Sequence, residues 1–425
     1  MSKENTMREP IYKSRPVQPN ATRFGGERIN DFVVLSEGFS NCYLLQTSEG
    51  NIQINAGMGM EAPVIKHNFD QFSAATVKHL ILTQGHVDHV GGVAYFREQN
   101  PGLQVIAQAD NPQHQDYDTR LAPFRGNRSA FAFADKFTDL FSYYTEQGYT
   151  DYPQQDVPVP DVLFKERYAF TLGGLEVELI GVAGAETNDS LIVWLPQHKI
   201  CFTGNLFGCP FGHFPNLVTI RGDRYRDALT VAAAVEVVKE LGAEMICYGH
   251  HAPVMGADVI EAELTALHGA IMHVHDATVQ GMNEGKDVHT LMQEIQLPPE
   301  FEVGQGYGKV SWSVRAIWEN YAGWFQHQST TELYSVPQTA IHADLLELAG
   351  VEAVIECARR KLADKQPEQA IHLLDIVLSQ QPHQLDAVSA MIEAHQGLLQ
   401  DSVNFWLSAW LSHQIKLLQT QGEAA

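Results

Sequence analysis

Residues Thr83–Gly92 read TQGHVDHVGG. The stretch places His86, Asp88 and His89 within four residues, directly after the apolar run Leu80-Ile81-Leu82, and closes on Gly91-Gly92. A strand end followed by a tight loop lets several side chains point into one cleft, and His and Asp are good ligands for a borderline cation such as zinc. His86 and His89 are three apart, so a loop or the first turn of a helix can aim His86 at one ion and the Asp88-His89 pair at another. Taken alone, the stretch fits equally well a polar helix start, with Asp88 as the cap and the histidines solvated.

Outward from this segment, short β-branched and aromatic runs alternate with turn signals: DFVVL, CYLLQ and NIQIN before it, LQVIAQ after it, then EVELIG, LIVWL, KICFTG and EMICYG. Glycines end most of them, which reads as strands. RDALTVAAAVEVVKELGA carries the 3.6-residue apolar period of an amphipathic helix that stops at a glycine. Strands interleaved with helices predict an α/β layer structure for this half. From about Val259 helical patterns dominate, and Pro367 and Pro382 mark turns between antiparallel helices. The boundary is set at residue 280, giving domains 1–280 and 281–425.

The chain has 425 residues, 44% of them apolar and 19% charged, an ordinary globular composition with length for two or three domains. Its formal net charge of −23 excludes general affinity for nucleic acid or anionic membranes. An anionic substrate needs a local basic pocket in such a protein. Five scattered cysteines without a CxxC pair read as buried reduced thiols. No apolar leader and no run of eighteen apolar residues is present, and a soluble, cytoplasmic protein is expected.

The motif at 84–92 is followed by TLGGLEVELIGVAGAETNDSLIVWLPQHKICFTGN and by MICYGHHAPV, and preceded by SNCYLLQTSEGNIQINAGMG. In order and approximate spacing these four segments resemble the metallo-β-lactamase superfamily. AGAE ending at Glu186, PNLVTIRGDRYRD, and the stretches LHGAIMHVHDATVQGMNEG and GYGKVSWSVRAIWENYAGWF are similar to its alkyl sulfatase branch. The resemblance implies an α/β fold, an αββα sandwich with a metal cleft at one edge of its two sheets, followed by an all-α dimerisation domain. A homodimer is the expected assembly, with a small-molecule anionic substrate as the other partner.

Carried over residue by residue, the resemblance gives one metal to Gln84, His86 and Glu186 and the other to Asp88, His89 and His250, with Asn205 where the family has a bridging carboxylate. Asp88 is also the expected catalytic residue. Asn216 and Arg221 are expected to bind a sulfate-like group, with His251 and Tyr307 beside the substrate; Tyr307 is read either as reaching a neighbouring site across a dimer or as part of a turn. An amide oxygen is a weaker zinc ligand than imidazole, and Asn205 lacks the charge that helps hold two cations together. One firm zinc and one weak or conditional metal are therefore expected. Two histidines and a carboxylate on one ion also suit non-haem iron, so iron is the other candidate cofactor.

Arg120, Arg125 and Arg128 put three cations in nine residues of an acidic chain, as a solvated loop or as a lid over the cleft. The aromatics Phe137, Phe141, Tyr143 and Tyr144 pack that insertion or wall a substrate channel. The function expected is a metal-dependent hydrolase of small anionic esters, alkyl sulfates first, using metal-activated water. An iron oxygenase or redox enzyme on the same fold and a degenerate, non-catalytic homologue are the alternatives.

Overall fold

The computed structural model describes residues 8–18 and 20–423. Contacts divide the chain into two compact units, the first running to Arg128 and again over Ala134–Tyr321, the second made of Ser129–Phe133 with the residues from Ala322 onward.

Among the described residues of the first unit, seven strands form one sheet in sequence order: β1 (Glu27–Arg28), β2 (Val33–Ser36), β3 (Cys42–Thr47), β4 (Gly50–Ile54), β5 (Val77–Ile81), β6 (Gln104–Gln108) and β7 (Val162–Phe164). Six more, β8 (Arg167–Leu172), β9 (Leu175–Gly181), β10 (Leu191–Leu195), β11 (Ile200–Gly204), β12 (Met245–Tyr248) and β13 (Val254–Met255), form the second. Pairing is antiparallel from β1 to β4 and parallel from β4 to β7. The helices are α1 (Ala62–Asp70), α2 (Val87–Val90), α3 (Val93–Gln99), α4 (Asn111–Glu146), α5 (Ala228–Glu240), α6 (Ala257–Asn283), α7 (Val288–Glu294) and α8 (Val310–Ala322).

Side-chain alternation makes the layers. Along β10, Leu191, Val193 and Leu195 enter a core shared with Tyr43, Leu45, Ile52 and Ile54 of the first sheet. Ile192 and Trp194 face the opposite way, toward Val231 and Val235 of α5 and Leu264 and Leu267 of α6. On the far side Cys42, Leu44 and Leu80 pack against Ile65 of α1 and Phe96 of α3. A strand's period of two sends alternate residues to opposite faces, so sheets that are apolar on both faces need helices outside them. The result is an αββα sandwich, as expected.

The change of sequence character near residue 280 and the limit of the compact unit do not coincide. Helices α7 and α8 contribute Val288, Leu291, Val314 and Ile317 to the core under the second sheet, which carries the first unit to Tyr321. A second difference concerns the stretch with Arg120, Arg125 and Arg128, read as a loop or lid: it lies inside one 36-residue helix, α4, which accommodates Pro123. Leu140 and Tyr144 pack with Phe39 and Val64, and Phe137 and Tyr143 lie against that cluster, so packing is what these aromatics do.

In the second unit α9 (His342–Ala349), α10 (Val351–Ala363), α11 (Pro367–Gln380), α12 (Leu385–Asp401) and α13 (Phe405–Glu423) follow each other. Pro367 opens α11, where its missing N–H costs nothing. Val354, Ala358, Leu374, Val377, Ala387, Met391 and Leu418 make their own core. All five cysteines are free thiols, four buried and Cys357 half-buried. No described helix is long and apolar enough to cross a membrane.

Candidate metal and anion site

The site lies beyond the ends of β5, β11 and β12 and takes in the β9–β10 loop. Strand β5 runs into Thr83, whose N–H and hydroxyl both donate to Asn55 Oδ1 at 3.0 Å and whose carbonyl accepts the Leu191 N–H at 2.9 Å. That last bond ties the two sheets together where the motif begins. Gly85 donates its N–H to Asp189 Oδ1 at 3.1 Å, and Asp189 also accepts from Asn111 and Thr187. His86 then starts the one-turn helix α2 and Asp88 lies in its first turn, without any side-chain cap. The solvated-cap alternative therefore does not describe this segment: His86 and His89 are buried, and Asp88 is partly exposed.

After β12, Asn41 holds the turn that carries His250 and His251. Its Nδ2 donates to the carbonyls of Tyr248 at 3.1 Å and His251 at 2.7 Å, and its N–H to Gly249 at 2.6 Å. His251 takes a left-handed φ of 62°, uncommon for a side-chain-bearing residue, and its ring centre lies 6.4 Å from that of His250. Gly249 is required by close approach, because a Cβ there would strike Asn205 Oδ1.

Asp88, His89 and His250 are the set expected to hold one ion. His89 Nε2 is 3.6 Å from Asp88 Oδ2, while Nδ1 faces the Thr83 hydroxyl at 3.3 Å. His89 Nε2, His250 Nδ1 and Asn205 Oδ1 are buried without a hydrogen-bond partner. Burial pushes His250 down to about 3 against the pull of Asp88, and burial with the nearby His86 pushes His89 well below the usual imidazole range. Both rings are neutral at pH 7 and hold lone pairs that nothing in the protein uses. Among the described residues no three His, Cys, Asp or Glu are drawn in to metal-ligand spacing. By chemistry the set nevertheless fits a divalent cation, since neutral imidazole and carboxylate are what such an ion takes and orphaned polar atoms are costly to bury.

Gln84, His86 and Glu186 are the set expected at the other ion, and here most of the polar atoms are taken by protein partners, although His86 Nε2 has none. Gln84 Oε1 accepts the Asn205 N–H at 3.0 Å, which fixes the amide's orientation and turns its Nε2 to His86 Nδ1 at 2.7 Å. That contact makes His86 Nδ1 an acceptor and leaves the proton on Nε2, 3.8 Å from Asp223 Oδ2. Glu186 Oε1 is paired with Arg226 Nη2 at 2.9 Å, both side chains buried. Burial pushes the Glu186 carboxyl up, while Arg226, His86 and Arg221 pull the other way. Arg226 donates Nε to the Glu186 carbonyl at 2.6 Å and Nη1 to the Asn216 carbonyl, so all three guanidinium nitrogens are engaged.

The loop from Asn216 to Arg226 is clipped to α4. Arg125 pairs with Asp118 and with Asp223 at 2.8 Å, and Arg128 donates to the carbonyls of Ile220 at 2.6 Å and Arg221 at 2.9 Å. Burial opposes ionisation of Asp223, yet His86, Arg226 and Arg125 hold its carboxyl below the ordinary range. Arg125 and Arg226 are thus neutralised, whereas Arg221 has no ion pair among the described residues; it feels Tyr307, Asp223, Asp88 and Glu186 at longer range. Asn216 is buried beside Arg226. Tyr307 arrives on a segment bridged to His213: Phe214 N–H donates to Gly304 at 2.7 Å, and a Cβ on Gly308 would strike the carbonyls of Phe214 and Pro215. Burial raises its phenol, and among the groups of its own chain it senses Cys209, Arg221, Glu186 and Asp88.

Sequence reasoning passed over Asn41, Asp189, Asp223 and Arg226. The last three stand inside TNDS and RGDRYRD, next to Glu186 and Arg221; the signal available was a charged residue adjoining a motif.

The chain belongs to the metallo-beta-lactamase superfamily, whose family model matches residues 35–250, and residues 287–418 match the alkyl sulfatase dimerisation family. Its relatives include a linear primary-alkylsulfatase from a Pseudomonas species, 26% identical over 321 residues, covering 72% of this chain and 60% of that protein. An alkyl/aryl-sulfatase, BDS1, of Saccharomyces cerevisiae is 21% identical over 364 residues, covering 81% and 55%. The chain thus spans about three fifths or less of the length of these relatives. The solved inverting sec-alkylsulfatase Pisa1 from Pseudomonas sp. superposes with a TM-score of 0.79 at 19% identity, over 93% of this chain and 66% of that one, a likeness of fold.

Proposed function

We propose that this protein is a metal-dependent hydrolase of small anionic esters, alkyl sulfate esters first. The observation that carries the reading is Arg221, a cation without an ion pair among the described residues, set beside Asp88 and two neutral histidines with unused lone pairs. In a chain of net charge −23 such a cation is the local exception an anionic substrate needs.

Asp88, His89 and His250 are the residues that would hold a divalent cation. When bound, it supplies a coordinated water whose pKa falls to roughly 7. Arg221 binds the sulfate oxygens and balances the charge that grows on them, with Asn216 beside it. Arg128 fixes the backbone of Ile220 and Arg221 and so aims the guanidinium. Names of the relatives support sulfate esters as the first substrates to try. The match to a dimerisation family and the exposure of Leu348 (86%), Val403 (75%) and Trp410 (43%) support a homodimer through the second unit.

The test is sulfate release from a linear primary alkyl sulfate by the purified full chain, before and after chelation and after zinc or iron is added back. Release that disappears with chelator and returns with one metal is expected. No release from metal-loaded, folded protein would end the proposal.

A further inference from the structure

We infer that Arg226 stands in the place of a second cation, so that Glu186, the one charged oxygen donor expected beside Gln84, His86 and Asn205, holds a guanidinium instead of a metal. The inference rests on the proposed single-ion reading of Asp88, His89 and His250, and concerns the other half of the cleft.

Three observations converge. Glu186 is the carboxylate of this half that is free of Arg125, and Arg226 takes it at 2.9 Å with both partners buried. Whether Glu186 carries its charge against Arg226 or carries a proton, it offers an incoming ion no free negative charge. Second, the two remaining expected oxygen donors are neutral amides: Gln84 already bonds the Asn205 N–H and His86, and Asn205 Oδ1, though unpartnered, brings no charge. Third, Arg226 is anchored through Nε and Nη1 to the Glu186 and Asn216 carbonyls, so displacing it would strand a buried charge and two carbonyls. A rigid fork matched to one carboxylate and two carbonyls is a use for which arginine is suited and a mobile ion is not. Its always-protonated guanidinium provides permanently the positive charge that a weak site would provide only when filled.

The arrangement predicts which repairs work. Gln84→His with Asn205→Glu restores stronger ligands but leaves Arg226 in place; adding Arg226→Met removes the occupant. Zinc bound per chain is counted by native mass spectrometry, with circular dichroism as the fold control. Wild type and the double variant are expected to bind the same number, and the triple variant one more. Glu186→Gln, which keeps an acceptor for Arg226, is expected to leave the wild-type count unchanged. Two ions on wild type, an extra ion on the double variant, a folded triple variant that gains none, or an ion lost from Glu186→Gln would each overturn the inference. If the triple variant does not fold, Glu186→Gln and the wild-type count decide. Failure of the hydrolase proposal reads out separately, as absent sulfate release, because the inference concerns differences in ion number.

Discussion

On one side of the cleft His89 Nε2 and His250 Nδ1 are buried and bonded to nothing; on the other Gln84 Oε1 and Nε2, His86 Nδ1 and Glu186 Oε1 have protein partners at 2.7–3.0 Å, while His86 Nε2 and Asn205 Oδ1 stay unpartnered. Both halves consist of residue types that can ligate. What separates them is whether a lone pair is available, and that depends on neighbours far away in sequence: Arg226 lies 40 residues from Glu186, and Asn205 lies 121 from Gln84. A buried polar atom without a partner is costly, so a fold that leaves several together is one built to receive something.

The sharpest way to break this contrast is His89→Ala. With the open half as the metal site, zinc content should fall to near zero and sulfate release by roughly a thousandfold, since a bound cation contributes several kcal/mol to the transition state. Retained zinc would move the site elsewhere.

Arg221→Ala comes next. Loss of an anion-stabilising donor should lower kcat/KM for an alkyl sulfate by about 100-fold at unchanged zinc content, with Arg221→Lys recovering part of it. A value within threefold of wild type would mean that the unpaired guanidinium does not meet the substrate.

A buried neutral imidazole also fixes the segment that carries Tyr307: His213 Nδ1 accepts the Gly306 N–H at 2.9 Å, and acid probes that contact. Burial, with His251 nearby, pushes His213 down to about 4. An unfolded chain protonates histidine near 6.5, so between these values the unfolded state binds more protons, and stability falls as pH drops through that window. At pH 5 the loss from this group should be about 2 kcal/mol. Urea unfolding at pH 7 and 5 measures it. His213→Gln keeps an acceptor without titrating and should lose less on acidification by that amount; an equal loss in both proteins would remove His213 as the cause.

The smallest expected effect belongs to Arg128→Ala, which removes two bonds to the backbone of the Arg221 loop from an exposed position. At about 1 kcal/mol, KM should rise about five-fold with kcat little changed. A large drop in kcat instead would show that α4 does more than hold the loop.

The strands that flank the site were legible because alternation and terminal glycines mark them locally: β5, β9, β10, β11 and β12 lie where HLILT, EVELIG, LIVWL, KICFTG and EMICYG predict them. Helix α4 was not, since Pro123 and Gly126 read as loop signals while its length is sustained by packing of Leu140 and Tyr144 into a remote cluster. Tyr307 carried no local signal of its surroundings; hydrogen bonds between Gly304 and Gly212–Phe214 place it.

By itself the sequence determined the sandwich and the family, because burial patterns repeat with the period of the backbone and a ligand motif keeps its order along the chain. It also supplied the expected site residues and flagged Gln84 and Asn205 as departures from the family pattern. Only the tertiary structure decided which of those residues are at liberty to bind. Hydrogen bonds and ion pairs between distant segments decide which lone pairs and charges have a partner, and no local pattern records that Arg226 takes Glu186 while nothing takes His89 Nε2 or His250 Nδ1.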